Sequence, residues 1–440
     1  MSTDDRKQDG GQVKPTKPAV GLGMSRRAFL QRGAIATSGL GLASPLVAAA
    51  CGIGGGSQSS SSNVKVGAIY DTQGDLKLYG DQQIAAAKVA IAEMNANGGL
   101  LGRQVELVYL DAQSNQDKYT AAARQLALDK SVVMVNAGLT SASREAIRPI
   151  FDRYQKLYFY GPGYEGGVCD KYTFLTGLVP SQTSQVMVPY LNKTYGSRLY
   201  LVAADYNAGH IGGLWVKKKA KELGMPLVGE EYFPLDVTNF GTTISKIQSA
   251  KADSVFSILV GSNHLAFYRQ FAAAGLLGRV GIGSSTFGYG NEQKALSPAE
   301  GQGILASLSY VKELTTPASS DYLTAYKKHV GSDQNVGQVG EETYIGWKMW
   351  ALAVQKAKSF DTSAVIKALE SGISYGAPEG EVQMVGKAHH LVHNVLIGKV
   401  NGSQGWEVAT TMPNVHPSYE EQVCDLIANP KQSQQFQPTT

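Results

Sequence analysis

Val132-Val133-Met134-Val135-Asn136-Ala137-Gly138-Leu139-Thr140-Ser141-Ala142-Ser143-Arg144 is the stretch that decides the fold. Its apolar opening, with Val repeated, reads as a buried strand. A Gly and three hydroxyl residues follow, and Arg144-Glu145-Ala146-Ile147-Arg148 then begins a helical pattern. The order is strand, tight turn, helix N-terminus. The first-turn N–H groups of such a helix lack intrahelical partners, and the macrodipole places partial positive charge beside them. With Thr140, Ser141 and Ser143 at hand, the turn suits a carboxylate, an amide oxygen or a urea carbonyl. The plain alternative is that Ser141 or Ser143 serves only as an N-cap.

The same unit recurs on both sides. Strands are expected at 64–70, 105–110 and 157–160, and helices at 79–97 and 119–129. The strand at 157–160 runs into Gly161-Pro162-Gly163-Tyr164-Glu165-Gly166. The pattern pauses at 172–180 and restarts with strands at 199–203, 228–234, 254–259 and 280–284, separated by helices at 214–223, 240–250 and 266–274. Strands alternating with helices predict a mostly parallel, doubly wound α/β sheet. Ligands of such sheets sit at the carboxyl ends of the strands. Here those ends carry Thr140 and Ser141, then Tyr164 and Glu165, then Asp205-Tyr206-Asn207, then Gly261-Ser262. Asp205 and Glu165 are candidates to pair with a cationic group on a ligand, or else N-cap and surface residues. Tyr160 and Tyr206 are candidate pocket walls, or else core residues. Extended runs near 172–180, 304–311 and 377–384 read as three crossings between two lobes, with helices at 322–329, 344–358 and 364–369 and strands at 381–384 and 391–400. From Asn401 the pattern is mixed, and a polar tail is expected to be partly disordered.

Val64-Lys65-Val66-Gly67, the run Ile91 to Arg103, Thr140-Ser141-Ala142-Ser143-Arg144 and Tyr164-Glu165-Gly166 carry a resemblance. So do Gly229-Glu230-Glu231-Tyr232-Phe233-Pro234-Leu235, Ala377-Pro378-Glu379-Gly380 and His389-His390. Together, over roughly residues 64–405, they resemble the urea- and short-chain-amide-binding proteins of ABC importers. These are a branch of the branched-chain-amino-acid-type (type I) periplasmic binding proteins. The resemblance implies two doubly wound, Rossmann-like lobes joined by three hinge crossings, enclosing a small polar ligand on closure. It places lobe 1 at 64–178 plus 311–376, lobe 2 at 179–310 plus 377–410, and a tail at 411–440. By position it makes Ser141 the serine that meets the ligand, Tyr160 an aromatic wall and Tyr206 a tyrosine from the second lobe. The chain has Leu139 where the amide binders often carry Tyr, Pro162 where they carry Thr or Gln, and Ala208-Gly209-His210 where they carry an aromatic followed by Pro-Arg. A pocket without those tyrosines is roomier and suits a larger amide, an amino acid or another small polar metabolite. The implied partners are that ligand and an ABC permease in the membrane, with the binding protein a monomer and no enzyme.

Of 440 residues, 43% are hydrophobic and 17% charged, which is ordinary for a globular chain long enough for two domains. Seven Lys or Arg and three Asp fall within residues 1–50, so the rest of the chain balances and nothing recommends nucleic acid as a partner. Ser25-Arg26-Arg27-Ala28-Phe29-Leu30 before the apolar run 34–50 resembles a twin-arginine export signal, too short and Gly-rich to span a membrane. Val47-Ala48-Ala49-Ala50-Cys51-Gly52 resembles a lipobox, which makes Cys51 a lipidation site; the alternative is plain cleavage near Ala50. The Gly/Ser tract of 51–63 then acts as a tether reaching ~20 Å. The protein is expected outside the cytoplasm, periplasmic or on the outer face of the membrane, anchored through Cys51.

Other patterns are weaker. Gly372-Ile373-Ser374-Tyr375-Gly376 fits a nucleophile elbow but follows a helix rather than a strand. Gly161-Pro162-Gly163-Tyr164-Glu165-Gly166 fits a dinucleotide turn but opens no helix. His389, His390 and His393 lack the Cys or carboxylate cluster that would complete a metal site, so a structural or hinge role is expected, with no metal and no cofactor. Cys169 and Cys424 form a possible disulfide in an exported protein. The alternatives to a transport receptor are an extracytoplasmic sensor that hands closure to a signalling partner and, less favoured, an enzyme on the same scaffold.

Overall fold

The structure, a computed structural model, describes residues 63–333 and 335–439. The leader, Cys51 and the Gly/Ser tract up to Ser62 lie outside the described residues. Lobe 1 opens with β1 (Val64–Tyr70), α1 (Lys77–Ala96), β2 (Val105–Asp111), α2 (Gln116–Leu128), β3 (Val132–Ala137), α3 (Ser141–Arg153), β4 (Leu157–Tyr160), β5 (Val168–Asp170) and β6 (Thr173–Leu175). Lobe 2 follows with α4 (Ser184–Tyr195), β7 (Leu199–Ala204), α5 (Asn207–Glu222), β8 (Leu227–Phe233), α6 (Gly241–Ser249), β9 (Ser254–Ile258), α7 (Ser262–Ala273), β10 (Gly281–Ser284), α8 (Pro298–Gly301) and β11 (Leu305–Leu308). The chain returns to lobe 1 with α9 (Pro317–Val330), α10 (Gln338–Ala357) and α11 (Thr362–Glu370). It ends in β12 (Ser374–Ala377), β13 (Gly380–Val385), β14 (His390–Val400), β15 (Trp406–Val415), α12 (Ser418–Val423) and β16 (Ser433–Gln435).

The strands of lobe 1 are ordered β2-β1-β3-β4-β6 and those of lobe 2 β8-β7-β9-β10-β11, every neighbouring pair parallel. Parallel strands need helical crossovers, which cover both faces and bury both sets of side chains. In β1 the period of two is visible. Val64, Val66, Ala68 and Tyr70 enter the core under α1, α10 and α11, whereas Ile69 enters the core under α2 and α3. Lobe 2 divides in the same way, with Val202 and Val255 facing α6 and α7 and Leu201, Ala203 and Phe256 facing α4 and α5. The sequence periodicity thus yields the α/β, doubly wound lobes that it predicts.

β14 joins the two halves. It lies parallel to β6 at His390 and antiparallel to β11 from Leu396 to Lys399, so it is itself one of the crossings. The run 377–384 was expected to cross and does not. β12 and β13 form a hairpin whose second strand pairs with β14 at 390–392, on the lobe 1 side. A short β-rich run carries no mark of whether its partner is its neighbour or a distant strand.

The tail also departs from expectation. β15 pairs along β14 on the lobe 2 side, α12 follows, Cys424 bonds to Cys169 on β5, and β16 pairs antiparallel with β5. Glu420 on α12 is buried, and its carboxylate accepts from Gly167 N at 3.0 Å. Burial pushes its pKa up to about 7. A carboxylate raised above its unfolded value contributes stability that is full below about pH 4.5 and lost as pH rises through about 7. Glu420→Gln should therefore flatten the decline in urea midpoint between pH 5 and 8 relative to the parent protein. Equal declines in both proteins would refute this.

Candidate functional site

β3 delivers the chain to Gly138, whose φ of +85° lies in the left-handed region that a side chain disfavours by roughly 1 kcal/mol. Thr140 is extended and caps α3. Its Oγ1 accepts from Ser143 N, and Ser143 Oγ accepts from Thr140 N, a reciprocal pair that closes the helix start. Capping thus falls to Thr140 and Ser143. Ser141, at the first helical position, turns its hydroxyl elsewhere and donates to Glu165 Oε2.

Glu165 follows β4 and is buried. Its Oε1 accepts from Arg144 Nη2 and from Gln435 Nε2, each at 2.7 Å. The Arg144 side chain is wholly buried, with its guanidinium 4.5 Å from the Tyr164 ring and 5.3 Å from the Tyr160 ring. Burial opposes the charge of Arg144, yet Glu165, Tyr160 and Glu145 outweigh it and hold its pKa well up. Burial also opposes the charge of Glu165, and Arg144, together with the hydrogen bonds from Ser141 and Gln435, more than offsets that, so the carboxyl stays below the usual range. The pair is an internal, neutral unit beneath the turn. Glu165 is therefore matched within the protein, which removes the expectation that it pairs with a cationic ligand group.

Above this unit lies a cavity of about 680 Å³ at the carboxyl ends of the strands of both lobes. Thr140, Ser141, Tyr160, Tyr164 and Glu165 line it from lobe 1, and Tyr206, Gly261 and Ser262 from lobe 2. Asp205 and Asn207 are absent from the lining. Asp205 instead accepts from His210 Nε2 at 2.6 Å, both side chains half-exposed. The reason is local: β7 ends at Ala204, Tyr206 turns inward as the residue before α5, and its neighbours face out.

Other lining residues escaped the sequence reading. Tyr79 on α1 donates to Glu292 Oε1 at 2.6 Å, linking residues of the two lobes. Glu292 Oε2 accepts from Gly288 N at 2.7 Å. Burial raises the pKa of Glu292, and the Tyr79 hydroxyl and the backbone N–H groups partly counter it. Tyr289 lies beside it in the lining. A contact spanning 213 residues leaves no local signal. His390 also acts from behind: its Nδ1–H donates to Ala388 O at 2.6 Å, so Nε2 accepts from Tyr164 OH at 2.6 Å. Burial lowers its pKa to about 3, and the neutral ring fixes Tyr164 in the wall. Among the described residues no group of three His, Cys, Asp or Glu is placed to hold a metal ion.

Among the described residues, neither Lys nor Arg lines the cavity. The N–H groups of Ser141 and Ala142, at the start of α3, have no protein partner among the described residues. α5 and α7 also begin at the cavity, next to Tyr206 and Gly261. Chemically, the site offers backbone donors and positive helix ends among aromatic walls.

A family model described as periplasmic binding protein matches residues 63–405. The chain belongs to that family. This periplasmic binding protein is 24% identical over 340 residues to Leu/Ile/Val-binding protein homolog 7 of Brucella melitensis, covering 72% of this chain and 83% of the relative. It is 23% identical over 341 residues to homolog 8 of Brucella abortus, covering 70% and 80%. Among solved structures it resembles a solute-binding protein of an ABC transporter from R. palustris in complex with 4-hydroxybenzoate. That match has a TM-score of 0.72 and 20% identity, and covers 81% of this chain and 98% of that one. It resembles an amino acid ABC transporter substrate-binding protein from Pseudomonas fluorescens Pf-5 with a TM-score of 0.73, 19% identity and coverage of 82% and 98%. No helix among the described residues is long and apolar enough to cross a membrane.

Proposed function

We propose that this periplasmic binding protein captures a small carboxylate with an apolar or aromatic body between its lobes and delivers it to an ABC-type permease. One observation carries the reading: Ser141 and Ala142, whose N–H groups have no partner among the described residues, line a cavity of about 680 Å³ walled by Tyr160, Tyr164 and Tyr206. The ligand head would take those two donors, with Thr140, Gly261 and Ser262 nearby and the tyrosine rings on its body. Urea or a short amide, the class that the sequence resemblance implies, would leave most of that volume unfilled. The ligand of one structural neighbour, 4-hydroxybenzoate, and the amino acids for which the other's transporter is named are all carboxylates. A ligand touching both lobes binds fully only when they close, so it shifts the population towards the closed form that a permease could recognise. Export and anchoring through Cys51 would place a monomeric receptor beside that permease.

The test is calorimetry with urea, acetamide, leucine, phenylalanine, benzoate and 4-hydroxybenzoate. A carboxylate should bind most tightly, and urea as the tightest ligand would overturn the reading. Ser141→Pro then separates the contacts, because Pro is tolerated at a first helical position whose N–H is already without a helical partner. Ser141→Ala keeps the N–H, and Ser141→Pro removes it. A charge-assisted hydrogen bond contributes about 1.5–3 kcal/mol, so Ser141→Pro should weaken binding about tenfold or more beyond Ser141→Ala.

A further inference from the structure

The C-terminal segment makes contacts that three crossings do not require. It leaves lobe 2 at the end of β15, passes through α12, and is bonded to lobe 1 by Cys169–Cys424 and by β16 on β5. It touches the ligand site from behind. Gln435 Nε2 donates to Glu165 Oε1 at 2.7 Å and to Gly166 O at 3.0 Å. Ser433 Oγ donates to Asp170 Oδ2 at 3.0 Å, which also accepts from Arg148 Nη1 at 3.0 Å. On the other side, the Tyr419 ring meets the Trp215 ring of α5 edge-on at 4.7 Å, and Trp215 Nε1 donates to Glu165 O at 3.1 Å. Glu165 therefore meets Trp215 of lobe 2 directly and the strap through Gln435.

We propose that Gln435, delivered by this disulfide-closed strap of residues 416–437, is a positioning residue that fixes Glu165 and, through it, the Ser141 turn of the ligand site. The physical argument is a shortage of donors. Glu165 is buried, and its oxygens are met by Ser141, Arg144 and Gln435. A buried carboxylate that loses one of these donors is held less firmly: without Gln435, Oε1 keeps only Arg144 Nη2, and the group is free to shift towards it. Its movement takes the Ser141 hydroxyl with it, because Ser141 donates to the same carboxylate. The inference rests on the proposed site only for the importance of the Ser141 turn. It is tested without any ligand, so failure of the binding panel leaves it standing.

The test is hydrogen–deuterium exchange on the full chain, on Gln435→Ala and Gln435→Glu, and on the double variant Cys169→Ala/Cys424→Ala. In Gln435→Ala, amides of residues 143–147 should exchange about tenfold faster, as expected for a local opening eased by 1.4 kcal/mol. Amides of β7 and β9 that exchange by local opening should be unchanged, and the urea midpoint should fall by no more than the same tenfold change implies. Gln435→Glu, which sets a second carboxylate against Glu165, should act more strongly. The double variant should reproduce the Gln435→Ala pattern in α3 while also loosening β5 and α12. Changes confined to 166–170 and 416–437, or no change in Gln435→Ala, would show that the strap fastens only itself and would overturn the proposal.

Discussion

Arg144→Met should destabilise the protein by about 3–5 kcal/mol, the range for breaking a buried ion pair from one side. The substitution keeps most of the volume, so packing loss is secondary. What remains is the Glu165 carboxylate, buried with Ser141 and Gln435 as its donors and no cation. The Tyr164 and Tyr160 rings lose the guanidinium that lies over them. Arg144→Lys should recover little, because an ammonium cannot reproduce the planar fork that serves Glu165 and Glu145 together. Adding Glu165→Gln to Arg144→Met should restore much of the loss, since the uncompensated charge is then gone. Urea unfolding of the parent, Arg144→Met, Glu165→Gln and the double variant gives the coupling energy. A loss below about 1 kcal/mol for Arg144→Met would mean that the pair is solvated and that Glu165 is free to meet a ligand.

Gly177→Ala should be strongly destabilising, because the methyl would meet only backbone. Gly177 lies between β6 and α4, in the first crossing, and a Cβ there would stand 2.3 Å from Gly163 N, 2.3 Å from Pro162 C and 2.4 Å from Gly161 O. All three atoms are backbone, so no side chain can rotate away. The crossing must separate from the 161–163 loop, which sits beside Tyr164 in the cavity wall. Overpacking of this kind costs about 1–3 kcal/mol or more. Ligand affinity should fall with stability, since Gly163 N also donates to Glu342 in the buried start of α10. Gly376→Ala is the control: it meets nothing within 4 Å and should leave both quantities unchanged. A Gly177→Ala protein with parental stability and affinity would refute the close approach.

Much of this was legible in the residues. The period of two in β1, the turn at Gly138 and the hydroxyl cluster at Thr140 led to a doubly wound sheet and to the side of it where the cavity lies. Local patterns report local geometry, and the turns after β3, β4 and β9 are local. What escaped was set by partners far along the chain. Arg144 read only as the start of a helix, and its role comes from Glu165 across 21 residues. Tyr79 and Glu292 meet across the cavity, and Gln435 arrives from a tail whose polar composition suggested disorder. Asp205 failed for the opposite reason: its nearest neighbour in the first turn of α5, His210, offered a partner before any ligand could.

The bond between Cys169 and Cys424 spans 255 residues and makes a covalent ring around all of lobe 2, from α4 through β15. Exposed turns lie within that ring, among them the one after β8 where Leu235 is 49% exposed. Such turns are where proteases cut. A single cut after β8 opens the loop but parts nothing: the two pieces stay joined at sulfur and through the pairing of β7 with β9 and of β6 with β14. A chain nicked in lobe 2 remains one molecule, with both walls of its cavity still attached to each other.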